Sequence, residues 1–243
     1  MKAVILAAGY NRRLKNIIDI PKTLLKVGDT TILERQINAL VESGLKKEDI
    51  FVVSGYKREM IEKVHNNIII NEKYIEYDNA YSVYLALKYL LEDLNTKEEI
   101  LIFDGDLIYD VELIKPLIES EKEDIFVTRE TPYSSSIKDE TMIVNQDNEI
   151  MQMIIPSEET PLDKYKDEKL FVYTGILKLS EGKANELKRV LENPELWKTW
   201  YTIPLPNIVN KGGFYNLPIR ENIKFCFDID DKKDLEKLRN LKI

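Results

Sequence analysis

Residues 1–28 read MKAVILAAGYNRRLKNIIDIPKTLLKVG, and the fold is decided by how this stretch changes character. AVILAAG (3–9) is a short, nearly continuous apolar run, the pattern of a strand buried on both faces. It enters a turn at Gly9, where a missing side chain lets the backbone bend close to a ligand. A loop bearing Arg12, Arg13, Lys15 and later Lys22 follows. The alternation continues outward. Thr31 to Ser43 is predicted helical, with Ile32, Leu33, Ile37, Leu40 and Val41 on one face and Gly44 as its stop. IFVVSGY (50–56), NIIIN (67–71) and EILIFDGD (99–106) read as further buried strands, with helices over Lys57 to His65 and Ser82 to Leu94 between them. Apolar strands alternating with helices predict an α/β fold: a Rossmann-like, mixed but mostly parallel sheet with helices on both faces.

The second half is less regular. DIFVTRE (124–130), TMIVNQ (141–146), EIMQMII (149–155) and LFVYTGILKLS (170–180) read as strands, and Glu181 to Leu191 as a helix. Trp197 to Pro218 holds three prolines, two glycines and several aromatics, so loops and short helices are expected there. KFCFDIDD and an amphipathic helix from Lys232 to Leu241 close the chain.

Composition narrows the function. The net charge of −8, from 35 basic and 43 acidic residues, disfavours nucleic-acid binding, which needs a basic face. No run approaches the ~18 apolar residues of a membrane span, and the apolar run of MKAVILAAG is too short for a signal peptide. Cys226 is the single cysteine, so no intramolecular disulfide forms and a cytoplasmic setting is the simplest expectation. His65 is the single histidine, which disfavours histidine metal sites and a Ser-His-Asp triad; on a short polar helix it is expected to be exposed.

Ligands of open parallel sheets bind beyond the carboxyl ends of the strands, and polar clusters fall there. In the 6–28 loop, backbone N–H groups with Arg13 and Lys22 suit triphosphate oxygens, and Pro21 sets the backbone ahead of Lys22. The glycine–lysine spacing is not that of a P-loop, and a plain basic surface loop is the alternative. DGD (104–106) crowds two carboxylates at a strand end, a combination suited to Mg²⁺ with Asp106 as ligand, or to a simple Asp-Gly turn. In FCFDIDD (225–231), Asp228 and Asp230 alternate with apolar residues and so are expected on one strand face, where either completes a metal site with Asp106; the alternative is a helix cap. A basic loop with separated carboxylates is the equipment of metal-assisted phosphoryl or nucleotidyl transfer.

The opening resembles the nucleotidyltransferases that couple a nucleoside triphosphate to a sugar phosphate or related group, whose pattern is L-A-A-G-x-G-x-R-L followed by P-K. Leu6, Ala7, Ala8, Gly9, Arg13, Leu14, Pro21 and Lys22 match it, and Asn11 replaces the second glycine. Asn tolerates left-handed backbone geometry better than most residues. INEKYIEYDNAYSVYLALKYL (70–90) and DGDLIYD (104–110) are similar to the bacterial choline-phosphate and aminoethylphosphonate cytidylyltransferases, and DETMIV (139–144) and FDIDDKKDLEKL (227–238) lean to the phosphonate branch.

This resemblance implies a nucleotide-diphospho-sugar transferase fold in a single domain, 1–243. It divides into a nucleotide-binding half (1–125), an acceptor-binding insertion (126–220) and a closing strand and helix (221–243). It implies that Leu6, Ala7, Ala8 and Gly9 lie along the nucleotide with Asp104, that Asn79 and Ser82 contact base and ribose, and that Arg13 and Lys22 act on the phosphates. Asp106 with Asp230 or Asp228 would hold Mg²⁺. The implied partners are CTP and a small phosphonate or phosphomonoester, with CMP transferred and pyrophosphate released; a sugar-1-phosphate nucleotidyltransferase using UTP or dTTP and a non-catalytic nucleotide sensor are the alternatives. For the acceptor, Arg129 suits a phosphate or carboxylate and Glu140 an ammonium, with a plain surface charge as the alternative for either, and Trp197, Trp200, Tyr201, Phe214 and Tyr215 suit aromatic walls, although WKTWYTIPLPNIVN lacks an acid. Loop packing or a homodimer contact is the alternative for these aromatics. Tyr84 and Tyr89 are assigned to helix packing.

Overall fold

The structure, a computed structural model, describes residues 1–14 and 17–239. Lys15 and the predicted end of the last helix at Leu241 lie outside the described residues. The first half runs β1 (Lys2–Ala7), a small hairpin of β2 (Lys26–Val27) and β3 (Thr30–Thr31), α1 (Ile32–Glu42), β4 (Ile50–Ser54), α2 (Arg58–Ile61), β5 (Ile68–Ile70), α3 (Asn79–Lys88) and β6 (Ile100–Asp104). Next come β7 (Leu107–Tyr109), α4 (Ile114–Ile118), β8 (Ile125–Thr131), β9 (Thr141–Val144), β10 (Ile150–Ile154), β11 (Leu170–Leu179) and α5 (Glu181–Leu191). The chain ends with α6 (Pro206–Val209), β12 (Tyr215–Pro218), β13 (Cys226–Asp228) and α7 (Lys232–Arg239).

One nine-stranded sheet runs β10-β9-β11-β6-β1-β4-β5, with β8 also paired to β11 and β12 to β8. The centre, β6-β1-β4-β5, is parallel, and β11 joins it antiparallel to β6. The period-2 geometry of a strand explains why its strands are apolar throughout. Val4, Phe51, Val53, Ile100 and Ile102 point into one core with α3 and α5. Ala3, Ile5, Ile50, Val52, Leu101 and Phe103 point into the other, with α1 and α4. α1 starts where its sequence says it should: Thr31 Oγ1 accepts from the Glu34 N–H at 3.2 Å and Glu34 Oε2 accepts from the Thr31 N–H at 2.7 Å, a capping box.

Several expectations shift. α3 begins at Asn79 rather than Ser82, because the Asp78 side chain caps the Asn79 N–H at 2.9 Å, and its tail over Tyr89–Asp93 winds as a π-helix. Of the helix expected over Lys57 to His65, only Arg58–Ile61 is α-helical, with Lys57 in the left-handed region at φ 49°. His65 is buried, not exposed: it is 3% accessible and its Nε2 lies 2.7 Å from the Ile50 carbonyl oxygen. β7 was hidden behind the DGD turn and β12 inside the glycine- and proline-bearing stretch; each forms because a partner strand waits for it, β13 and β8 respectively. Asp228 and Asp230 do not share a strand face. β13 ends at Asp228, the Ile229 N–H donates to the Asp106 carbonyl at 3.2 Å, and Asp230 sits in the turn before α7.

Candidate active site

Glycine makes the carboxyl ends of β1 and β6 converge. A Cβ on Gly105 would lie 2.3 Å from the Leu6 carbonyl oxygen, to which the Gly105 N–H donates at 3.0 Å, so only glycine lets the DGD turn tuck against β1. Beyond this junction opens a cleft of about 800 Å³. It is lined by most of the residues picked out from sequence: Leu6, Ala7, Ala8, Gly9, Arg13, Lys22, Asn79, Ser82, Asp104, Asp106, Arg129, Glu140, Trp200, Tyr201, Asp228 and Asp230. Gly9 is exposed there, and a Cβ on it would touch nothing within 4 Å, which leaves room for a ligand along the turn.

Asn11, which stands where the pattern has its second glycine, takes up the left-handed backbone geometry that asparagine tolerates. It adopts φ 54°, its Nδ2 donates to the Ile20 carbonyl at 2.7 Å, and its Oδ1 accepts from the Lys22 N–H at 3.4 Å. The loop is thereby tied across its neck, and Lys22 opens a 3-10 turn directly after Pro21. Its ammonium donates to Asp106 Oδ2, to the Ile229 carbonyl at 2.6 Å and to Asp230 Oδ1 at 3.2 Å. Arg13 Nη1 donates to Asp230 Oδ2 at 2.7 Å. A lysine near one end of the chain and carboxylates from two distant segments thus meet at one point.

The electrostatics are tense. Burial works against the charge of Lys22, but Asp106 and Asp230 more than offset it and hold its pKa above the ordinary lysine value. Burial, reinforced by Asp106, Glu140 and Asp228, pushes the Asp104 carboxyl well above the usual carboxylate range. Burial, then Asp106 and Asp230, also push Asp228 up. Carboxylates crowded into one cleft from the ends of β6 and β13 call for cationic compensation.

Other predicted residues hold different posts. Asn79 Oδ1 accepts the Tyr201 N–H at 2.9 Å, and Ser82 Oγ accepts from Asn71 Nδ2 at 3.0 Å. Arg129 lines the cleft while its guanidinium bonds the Cys226 carbonyl, and Glu140 accepts from the Thr202 hydroxyl. Among the aromatic candidates, Trp200 faces the cleft and is 51% exposed. Tyr201 is fully buried with its hydroxyl 2.7 Å from that of Tyr173, so it backs the wall rather than presenting a face. Phe214 packs in the core on Phe126, Tyr215 lies in β12, and Trp197 stacks on Tyr84 at 5.6 Å and packs against Tyr77 and Tyr81. Tyr84 and Tyr89 pack on the core, as expected.

Sequence reasoning missed Tyr10, Asn71, Tyr74, Tyr77 and Asp139, all of which line the cleft. Tyr10, Tyr56 and Tyr74 gather with ring centroids 4.9 to 6.4 Å apart. Tyr74 and Tyr77 stand in NEKYIEYDN, immediately before the helix motif, but a tyrosine in a charged loop carries no signal of its own.

A doubly covered sheet with its cleft beyond the carboxyl ends of β1 and β6 is the architecture of nucleotide-binding α/β proteins. The chain belongs to the MobA-like NTP transferase domain family, which residues 3–138 match. A choline-phosphate cytidylyltransferase of Streptococcus pneumoniae is 40% identical over 91 residues, 35% of this chain and 39% of that protein's length. The Haemophilus influenzae choline-phosphate cytidylyltransferase is 28% identical over 250 residues, covering 96% of this chain and 94% of that one. A 2-aminoethylphosphonate cytidylyltransferase of Lancefieldella rimae is 35% identical over 94 residues, 36% of this chain and 37% of that protein. Among solved structures, the CTP:phosphocholine cytidylyltransferase LicC from Streptococcus pneumoniae superposes with a TM-score of 0.74 at 19% identity, covering 98% of this chain and 96% of that one; the likeness is one of fold. No helix among the described residues is long and apolar enough to cross a membrane.

Proposed function

We propose that this chain is a cytidylyltransferase that moves CMP from CTP to a small amine-bearing phosphonate or phosphomonoester and releases pyrophosphate. The observation that carries the reading is the Lys22 ammonium shared between Asp106 and Asp230, with Arg13 on the far side of Asp230. The use of CTP is supported by three relatives named as cytidylyltransferases of choline phosphate or of 2-aminoethylphosphonate.

In this reaction an acceptor phosphoryl oxygen attacks the α-phosphorus in line. The new P–O bond forms as the bond to the bridging oxygen breaks, and pyrophosphate leaves with that electron pair. The attacking oxygen is already an anion, so no general base is needed, in keeping with a cleft that has no histidine. Arg13 and Lys22 bind the phosphates and reduce the repulsion between two anions. Mg²⁺ fits the donor set: Asp106 and Asp230 already converge on one cationic atom, and Asp228 lines the same cleft. Asp106 and Asp230 would be the residues to hold it, since Mg²⁺ is usually bound by one or two carboxylates together with substrate phosphate. When bound, the ion supplies neutralisation of the phosphates.

The acid missing from WKTWYTIPLPNIVN comes from another segment. Asp139 and Glu140 line the cleft with Trp200, and Arg129 lines it too. An aromatic face with carboxylates suits an ammonium, and a guanidinium suits a phosphoryl group.

Pyrophosphate release across CTP, UTP and dTTP, each with 2-aminoethylphosphonate, phosphocholine and glucose 1-phosphate, tests this. Turnover is expected with CTP and an amine-bearing acceptor, and Asp106→Ala is expected to abolish it. Turnover confined to UTP or dTTP with glucose 1-phosphate would make the chain a sugar-1-phosphate enzyme; CTP binding with no turnover would make it a sensor.

A further inference from the structure

α1 presents Ile32, Leu33, Ile37 and Leu40 to the core, yet the same buried face carries one amide, Gln36, only 2% exposed. A buried polar group costs free energy unless its hydrogen bonds are made. Gln36 makes two, both to one short stretch of backbone: its Nε2 donates to the Asp104 carbonyl at 3.0 Å and to the Leu107 carbonyl at 2.8 Å. These carbonyls flank Gly105 and Asp106. Gln36 therefore clamps the turn from which the Asp106 carboxylate projects, in addition to the bond that the Gly105 N–H makes to the Leu6 carbonyl of β1. Its Oε1 is buried without a partner, so the amide is held through its nitrogen alone. A flipped amide would set its oxygen against two carbonyl oxygens, and that fixes the orientation. The α1 capping box and the apolar residues on either side of Gln36 anchor the clamp to a rigid element.

We propose that Gln36 is a positioning residue that holds the Asp104–Leu107 turn in register, so that Asp106 meets Lys22 and the divalent cation of the nucleotide at the right point. This rests on the reading of Asp106 given above. Residues that orient a ligand from behind are commonly worth roughly 10- to 100-fold in metal affinity or activity.

Two variants test it. Gln36→Met keeps the volume and removes the donors; Gln36→Asn keeps the amide but withdraws it by one methylene, a change mild enough to leave a folded protein. Ile37→Val serves as a control for core softening without loss of the clamp. For each, Mn²⁺ affinity is read by electron paramagnetic resonance with CTP present and no acceptor, alongside kcat, KM for CTP, the Mg²⁺ half-saturation of turnover and Tm. Both Gln36 variants are expected to weaken Mn²⁺ binding and lower kcat roughly 10-fold or more, with added Mg²⁺ recovering part of the rate. Ile37→Val is expected to lower Tm with Mn²⁺ affinity and Mg²⁺ half-saturation unchanged. Should the Gln36 variants lose Tm alone, Gln36 is only a core residue and the inference fails. Asp106→Asn separates this from the underlying reading: unchanged Mn²⁺ affinity and turnover in that variant would remove the role of Asp106 itself.

Discussion

At Lys22, three oxygen acceptors crowd one ammonium that is only 16% exposed, and two of them are carboxylates. Removing it as Lys22→Ala leaves Asp106 facing Asp230 with Arg13 as the remaining cation on the pair. Loss of a positioned cation at developing charge is worth about 10²- to 10³-fold in kcat, and a steady-state pyrophosphate assay is expected to show a fall of that size. An unchanged rate would reduce Lys22 to an internal ion pair. His65 gives a different prediction. Burial holds its pKa below the ordinary value of 6.5, and its Nδ1 is buried without a partner, so the imidazole is neutral with Nε2–H donating to Ile50. The unfolded chain binds a proton at a higher pH than the folded one does. Stability from this group is therefore fully present above about pH 6.5 and is lost as pH falls from there through the lower folded value. As this is the chain's single histidine, Tm measured from pH 7.5 to 5 is expected to decline less steeply in His65→Gln. A parallel decline would show that other groups govern that window.

Among the elements, β11 does most to join the two halves of the sheet. Its first residues pair with β8 and β9, its last with β6, and the register shifts between Tyr173 and Leu177. Gly175 lies at that bulge with φ 83°, and a Cβ there would come within 2.7 Å of Asp104 Oδ2. Gly175→Ala is expected to cost about 1–3 kcal/mol from backbone strain and crowding, roughly 2–4 °C of Tm per kcal/mol at this chain length, and to lower turnover by displacing Asp104. Gly182 makes the contrast. It lies in α5, where an added Cβ finds no atom nearer than 4.0 Å. Gly182→Ala is expected to raise stability by ~0.5–1 kcal/mol. Differential scanning calorimetry of both variants checks the opposite signs.

The whole molecule carries a net charge of −8 and is proposed to bind a triphosphate. Its average field opposes the ligand, so binding depends on the local cations Arg12, Arg13 and Lys22 at the cleft and on the divalent ion. CTP with Mg²⁺ is expected to raise Tm increasingly with ligand concentration, the stabilisation reaching about 2.7 kcal/mol at 100 times the dissociation constant. CTP with a chelator is expected to give a much smaller shift. Equal shifts with and without the divalent ion would show that Lys22 and Arg13 suffice and would remove the metal from the proposal.

Much of this was legible without coordinates, because periodicity and turn chemistry are local. AVILAAG, IFVVSGY and EILIFDGD could bury both faces only inside a covered sheet, and the loop from Gly9 to Lys22 reads from its sequence as a ligand loop at a strand end, with a plain basic surface loop as the alternative. Tertiary structure alone decided the rest, wherever a residue's role depends on a partner far along the chain. Tyr201 became a core residue because Tyr173 lies opposite it, and His65 went inside because the Ile50 carbonyl receives it. Gln36 became a clamp because the DGD turn passes over it, and Asp230 met Lys22 across 208 residues. Spacing along a chain carries no record of such distances, whereas a folded sheet brings the ends of separate strands to one place.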